Sequence, residues 1–153
     1  MIWPFKKRPA PEPCFAVGQY RIDAKIDGLR DLTPLSPDEL ALLDRDVTFE
    51  GEEIWHAPDV LFMGIHWNTI LGTVEGEIYK ISIQWTGPRH EVGTAYREIA
   101  VYCTKSYGKW ERGAMALWVA SDGNIVLDSV NIGSEAILNL FVTSRKIRQF
   151  RRV

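Results

Sequence analysis

The chain contains no run of 18 apolar residues, so nothing in it reads as a membrane-spanning helix. Its opening lacks the order of a secretory signal: the apolar part is only Met1 to Phe5, and the basic residues follow it instead of preceding it. The expected compartment is the cytoplasm. Cysteine is scarce. Two in 153 residues imply no disulfide framework, and both read as reduced thiols, Cys14 after a proline-rich lead and Cys103 on the apolar stripe of a helical pattern. Only three histidines occur, His56, His66 and His90, without the tight spacing that zinc sites favour.

Catalytic signatures are missing too. Gly72, Gly76 and Gly87 do not form a phosphate loop, and Gly-x-Ser-x-Gly does not occur. Asp128 and Ser129 are strand neighbours and point to opposite faces, so they cannot act as a dyad. Cys103, set among apolar residues, is disfavoured as a thiolate. No catalytic set, metal site or cofactor is expected. Neither repeats nor low-complexity tracts interrupt the chain.

What is present describes an ordinary folded domain: 46 % hydrophobic and 25 % charged residues, enough for one core at this length. Charge is unevenly spread. Lys6, Lys7 and Arg8 near one end, and Arg145, Lys146, Arg148, Arg151 and Arg152 at the other, have no acid among them. Taking those eight from 18 bases leaves 10 against 20 acids in residues 10–144, so a body near -10 carries basic ends. Such ends either meet an anionic surface or lie back on the acidic body.

Pro4, Pro9, Pro11 and Pro13 remove backbone donors from residues 1–13, which read as an extended or flexible lead before a single domain over 14–153. Alternation at Tyr20, Ile22, Ala24 and Ile26 predicts a half-buried strand. Ser36, Pro37, Asp38 and Glu39 form a helix start, predicting a short helix near 37–45. Residues 47–55 read as strand, interrupted at Pro58. Gly64 to Thr73 and the period-2 run Tyr79, Ile81, Ile83, Trp85 predict a hairpin turning at Glu75-Gly76. Val92, Ala95, Tyr96, Ile99, Tyr102 and Cys103 follow helical spacing and predict the main helix near 89–107, closed by Gly108. A meander follows, with a type I′ turn expected at Asp122-Gly123 and ILNLFVT as the last strand.

Strands clustered around one main helix predict an α+β fold, a single antiparallel sheet of about five to seven strands with both helices packed on it. The predicted core includes Tyr79, Ile81, Ile83, Val92, Tyr96, Ile99, Leu117 and Leu127.

Six tryptophans are many for this length. Trp85, on the buried face of its strand, and Trp118, on a period-2 run, read as core or sheet-face residues, whereas Trp55, Trp67 and Trp110, with Tyr107, His56 and His66, are candidates to line a groove or partner-binding patch. Trp3 and Phe5, followed by Lys6, Lys7 and Arg8, suit weak contact with an anionic membrane surface. Ile147 and Phe150 amid the C-terminal bases suit a short terminal helix on the acidic body. The expected function is a non-enzymatic binding or adaptor domain acting on another protein through an exposed sheet face or groove. Nucleic acid is not the expected partner, and self-association stays open. The alternative is a small hydrolase or metal-dependent enzyme built on His56, His66 and nearby carboxylates such as Asp59.

Overall fold

A computed structural model describes residues 11–43, 48–110 and 115–153. Its strands are β1 (Thr33–Pro34), β2 (Glu52–Phe62), β3 (Ile65–Val74), β4 (Glu77–Pro88), β5 (Ala116–Val119), β6 (Gly123–Ile132) and β7 (Glu135–Ser144). They form one seven-stranded sheet in the order β1-β2-β3-β4-β7-β6-β5, every neighbouring pair antiparallel. The helices are α1 (Pro37–Leu42), α2 (Arg89–Tyr107) and a terminal 3-10 helix (Arg145–Gln149). The α+β fold expected from the sequence is the one observed.

The predicted turn between β3 and β4 is there, with Glu75 at φ 52° and Gly76 at φ 76°, the paired positive values of a type I′ hairpin. A similar turn, Met63 at 53° and Gly64 at 77°, joins β2 to β3. Pro58 does not end β2. It falls where the register slips between Ala57 and Val60, a bulge in which a missing N–H costs no ladder bond. Ser36 caps α1 by accepting from the Glu39 N–H at 3.2 Å. The helix expected over 37–45 ends at Leu42, and 44–47 lie outside the described residues.

Antiparallel pairing sorts the side chains onto two faces. Trp67, Leu71, Ile81, Ile83, Leu138, Leu140, Val142, Ile125, Leu127 and Trp118 are buried on the inner face, where Val92, Ala95, Ile99, Ala100 and Cys103 of α2 join the same core. The N-terminal segment completes this layer: Cys14, Val17, Tyr20 and Ile22 are buried in it, and Phe15 stacks on Phe62 at 5.3 Å.

Three sequence expectations are corrected. Residues 20–26 form no strand: Asp23 takes a left-handed conformation, φ 67°, so the chain turns instead of extending. Its backbone still bonds to the start of β4, Asp23 N–H to Ile78 O at 2.7 Å and Ile26 N–H to Gly76 O at 2.9 Å. In β5 the phase is the reverse of that expected, with Ala116 and Trp118 buried and Leu117 half-buried on the other face; Tyr96 is likewise only half-buried. Finally, the β5–β6 hairpin exists, but neither Asp122 nor Gly123 has positive φ. Gly123 is needed because an added Cβ would overlap the Thr143 carbonyl oxygen of the neighbouring strand.

Candidate functional site

The outer face of the sheet is built by the residues that alternate with the core positions. One cross-strand row runs His56, Ile70, Ser82, Phe141, Val126, Leu117 through β2, β3, β4, β7, β6 and β5. Ile70, Phe141, Val126 and Leu117 in that row are half-buried. A neighbouring row is polar, Asn68, Gln84, Asn139 and Asp128, with Gln84 Nε2 donating to Asn139 Oδ1 at 2.9 Å. Towards β5 and the far end of β6 the face turns apolar again, with Val119, Val130 and Ile132 exposed by 42–56 %.

Part of this face is occupied. The C-terminal 3-10 helix brings Ile147 and Phe150 against Phe49, Val74 and Tyr79 in a small second cluster, and the Tyr79 ring lies over Gly72, where an added Cβ would approach its Cε1 to 2.8 Å. Tyr79 donates to the Glu52 carboxylate. On the other side α1 is moored by contact between the His56 ring and the Glu39 carboxylate, and Leu43 just beyond it reaches the cleft. Between these supports lies a shallow cleft of about 400 Å³ lined by Ile54, Asn68, Ile70, Ser82, Asn139 and Phe141, among others. Lys80 Nζ sits 5.0 Å above the Phe141 ring.

The aromatic candidates from the sequence do not form one site. Trp67 is fully buried, its indole donating to Phe62 O at 3.0 Å, so it belongs to the core and cannot line a surface patch. Trp55 faces inward, half-buried, and donates to Thr73 Oγ1 at 3.0 Å. Tyr107 is structural: its hydroxyl donates to Pro13 O and accepts from the Phe15 N–H, both at 3.0 Å. Burial raises its pKa, keeping the phenol protonated in that role. Only Trp110 borders a groove, beside α2. His56 and His66 share the outer face, but His66 lies four residues along β3 from Ile70, the partner of His56, more than one row away. Among the described residues no three His, Cys, Asp or Glu side chains converge as a metal site would require.

Trp3, Phe5, Lys6, Lys7 and Arg8 lie outside the described residues. Lead residues nearer the domain are tied down, Glu12 O accepting from Ser121 N–H and Cys14 N–H donating to Asp122 Oδ1 at 2.8 Å. Among the described residues no helix is long and apolar enough to cross a membrane.

Sequence reasoning missed Ile70, Phe141, Val126 and Leu117 as a surface. Each looks like an ordinary strand hydrophobe, and only the β4–β7 pairing, in which Ser82 faces Phe141 from 59 positions away in sequence, brings them into one row. No known protein family, curated protein or solved structure matches the chain significantly.

Proposed function

We propose that the protein is a non-enzymatic binding module whose outer sheet face receives a protein partner. The observation that carries this reading is the row Ile70, Phe141, Val126, Leu117. In an antiparallel sheet with one solvated face, alternation should place polar residues there. Here a band of apolar side chains crosses that face instead, and among the described residues no helix packs over it between α1 and the C-terminal turn. Among the described residues lining the cleft Lys80 is the one charged side chain, which fits the charge-depleted centre of a protein interface. A row of half-buried apolar side chains on an outer sheet face, broken only at Ser82, is the kind of surface that a partner covers.

The reading is tested by placing a photo-crosslinking phenylalanine analogue at position 126 or 141 in the cells of origin, with position 98 on α2 as control. A discrete adduct from the sheet positions alone is expected. The crosslinked protein, once purified, should lose binding to Phe141→Asp or Val126→Asp variants whose melting temperature is unchanged. Absence of adducts from the sheet positions, or binding indifferent to both substitutions, overturns the reading.

A further inference from the structure

A second surface lies on the opposite side of the molecule, on α2. Tyr96, Ala100 and Thr104 repeat every four residues and form one stripe along the helix; Arg97, Val101 and Lys105 form the adjacent stripe. Beyond the C-terminus of α2, Lys109 and Trp110 come back alongside the first stripe. The Trp110 ring is fixed between Tyr96, centroids 6.4 Å apart, and Trp118, 5.4 Å apart. Trp118 in turn donates to Thr104 Oγ1 at 3.2 Å. The result is an open groove of about 530 Å³, apolar along its floor.

Two features set this groove apart. Three cations, Arg97, Lys105 and Lys109, line it, and among the described residues no carboxylate does. None of the three has an ion-pair partner among the described residues; Arg97 makes only a long bond to Thr94 Oγ1, 3.4 Å. The groove thus gathers positive charge within a stretch, residues 10–144, whose acids outnumber its bases. Its rim also carries an exposed apolar side chain, Val101, 56 % exposed.

We propose that this groove binds a short acidic peptide segment of a partner protein. One aromatic or branched aliphatic side chain sits on Ala100 against Trp110, and flanking carboxylates meet Arg97, Lys105 and Lys109. Charge complementarity selects the acidic flanks, since an unpaired cation at a recess attracts an anion and repels a basic segment. The openness of the recess selects a peptide anchor over a free hydrocarbon chain, because a site for a small apolar ligand buries most of the ligand's surface. A bilayer is disfavoured by shape: apart from Val101 on the rim, the apolar residues lining the recess are buried or half-buried, while membrane contact needs several to protrude.

The probe is a fluorescein-labelled synthetic peptide with a Leu-Phe centre and aspartate-glutamate flanks, titrated with full-length protein by fluorescence anisotropy. Saturable binding at low salt is expected, weakened as ionic strength approaches about 0.5 M. The same peptide with Ser-Gly at its centre should not saturate. Reversing the exposed charges together, Arg97→Glu, Lys105→Glu and Lys109→Glu, should lower affinity at least about tenfold with the melting temperature preserved. Phe141→Asp should leave this binding intact, so the groove and the sheet face succeed or fail separately. The proposal is overturned if the acidic peptide does not saturate, if the charge reversal leaves its affinity unchanged, or if Phe141→Asp abolishes it. It is overturned equally if laurate or phosphatidylglycerol vesicles, and not the peptide, show the charge-sensitive binding.

Discussion

Truncating Phe150 to alanine is expected to destabilise the protein more than removing any single charge of the basic C-terminal end. The Phe150 ring meets Phe49 and Tyr79 edge-on, with centroids 5.4 Å and 5.6 Å apart, and closes the small cluster that Val74 and Ile147 complete. A fully buried Phe→Ala change costs about 3–5 kcal/mol, and Phe150 is only partly buried. Roughly half of that, together with two aromatic pairs at the low end of their range, gives about 2.5–3.5 kcal/mol. For a domain of this size each kcal/mol moves Tm by about 2–4 °C, so a fall of about 5–10 °C is expected. The charges contribute less. Lys146 Nζ is 3.1 Å from Glu77 Oε1 and Arg151 is 3.8 Å from Glu50, and all four side chains are substantially exposed. Exposed pairs of this kind add about 0–1 kcal/mol and weaken with salt. Lys146→Ala and Arg151→Ala should therefore each shift Tm by less than about 3 °C. Thermal unfolding followed by circular dichroism at low and high salt separates the two contributions. A fall of under about 2 °C for Phe150→Ala, or a larger fall for either charge variant, would refute the assignment of this end to aromatic packing.

Stability should also fall in alkali. Burial raises the Cys103 thiol to about 12, and burial with hydrogen bonding to Asp122 raises Cys14 as well. Unfolded thiols ionise near 8.5, so the stabilisation is complete below that pH and declines above it, by up to about 1.4 kcal/mol per thiol per pH unit. Urea unfolding between about pH 7 and 11 should show this decline, reduced in Cys103→Ala; a flat profile contradicts it. Gly76→Asn should cost under about 1 kcal/mol because Asn tolerates a left-handed turn, whereas Gly123→Asn should cost more than about 3 because its side chain has no space. Equal losses in urea unfolding would count against the close-approach explanation. Deleting residues 1–14 should lower Tm by several degrees, since Cys14 is fully buried and Glu12 and Pro13 both accept backbone-anchoring bonds.

Local signals were the legible ones. Period-2 alternation located β4, helical spacing located α2, and Ser36-Pro37 marked the start of α1, because each depends on neighbours in sequence. Residues 20–26 misled because alternation reports burial, and Tyr20 and Ile22 are buried without belonging to a strand. Asp122-Gly123 misled differently: the dipeptide correctly marks a hairpin, but its glycine answers to Thr143 across the sheet, a contact no local pattern contains. Trp67 and Trp110 were indistinguishable as sequence, both at strand or helix ends. Phase decides between them. Trp67 points inward from β3 to the core, and Trp110 is held at the surface by Tyr96 and Trp118. The outer apolar row was hidden for the same reason, since it depends on β7 inserting between β4 and β6.

The charge tally illustrates how far totals can be from surfaces. Counted along the chain, the bases are concentrated at the two ends and the body is acidic. In the folded protein two of the five C-terminal bases meet acids of the body, Lys146 at Glu77 and Arg151 at Glu50, and the Arg152 backbone pairs with Phe49 in an isolated bridge. The C-terminal end is held against the domain at these points. Another group of bases stands on α2 and just after it, where Arg97, Lys105 and Lys109 line an apolar groove without any of them standing out as a basic run. Helical spacing and the return of the chain after Gly108 bring them together. A basic surface assembled this way, beside a fixed tryptophan, has a defined shape as well as a sign, and shape is what separates a specific acidic partner from a general attraction to anions.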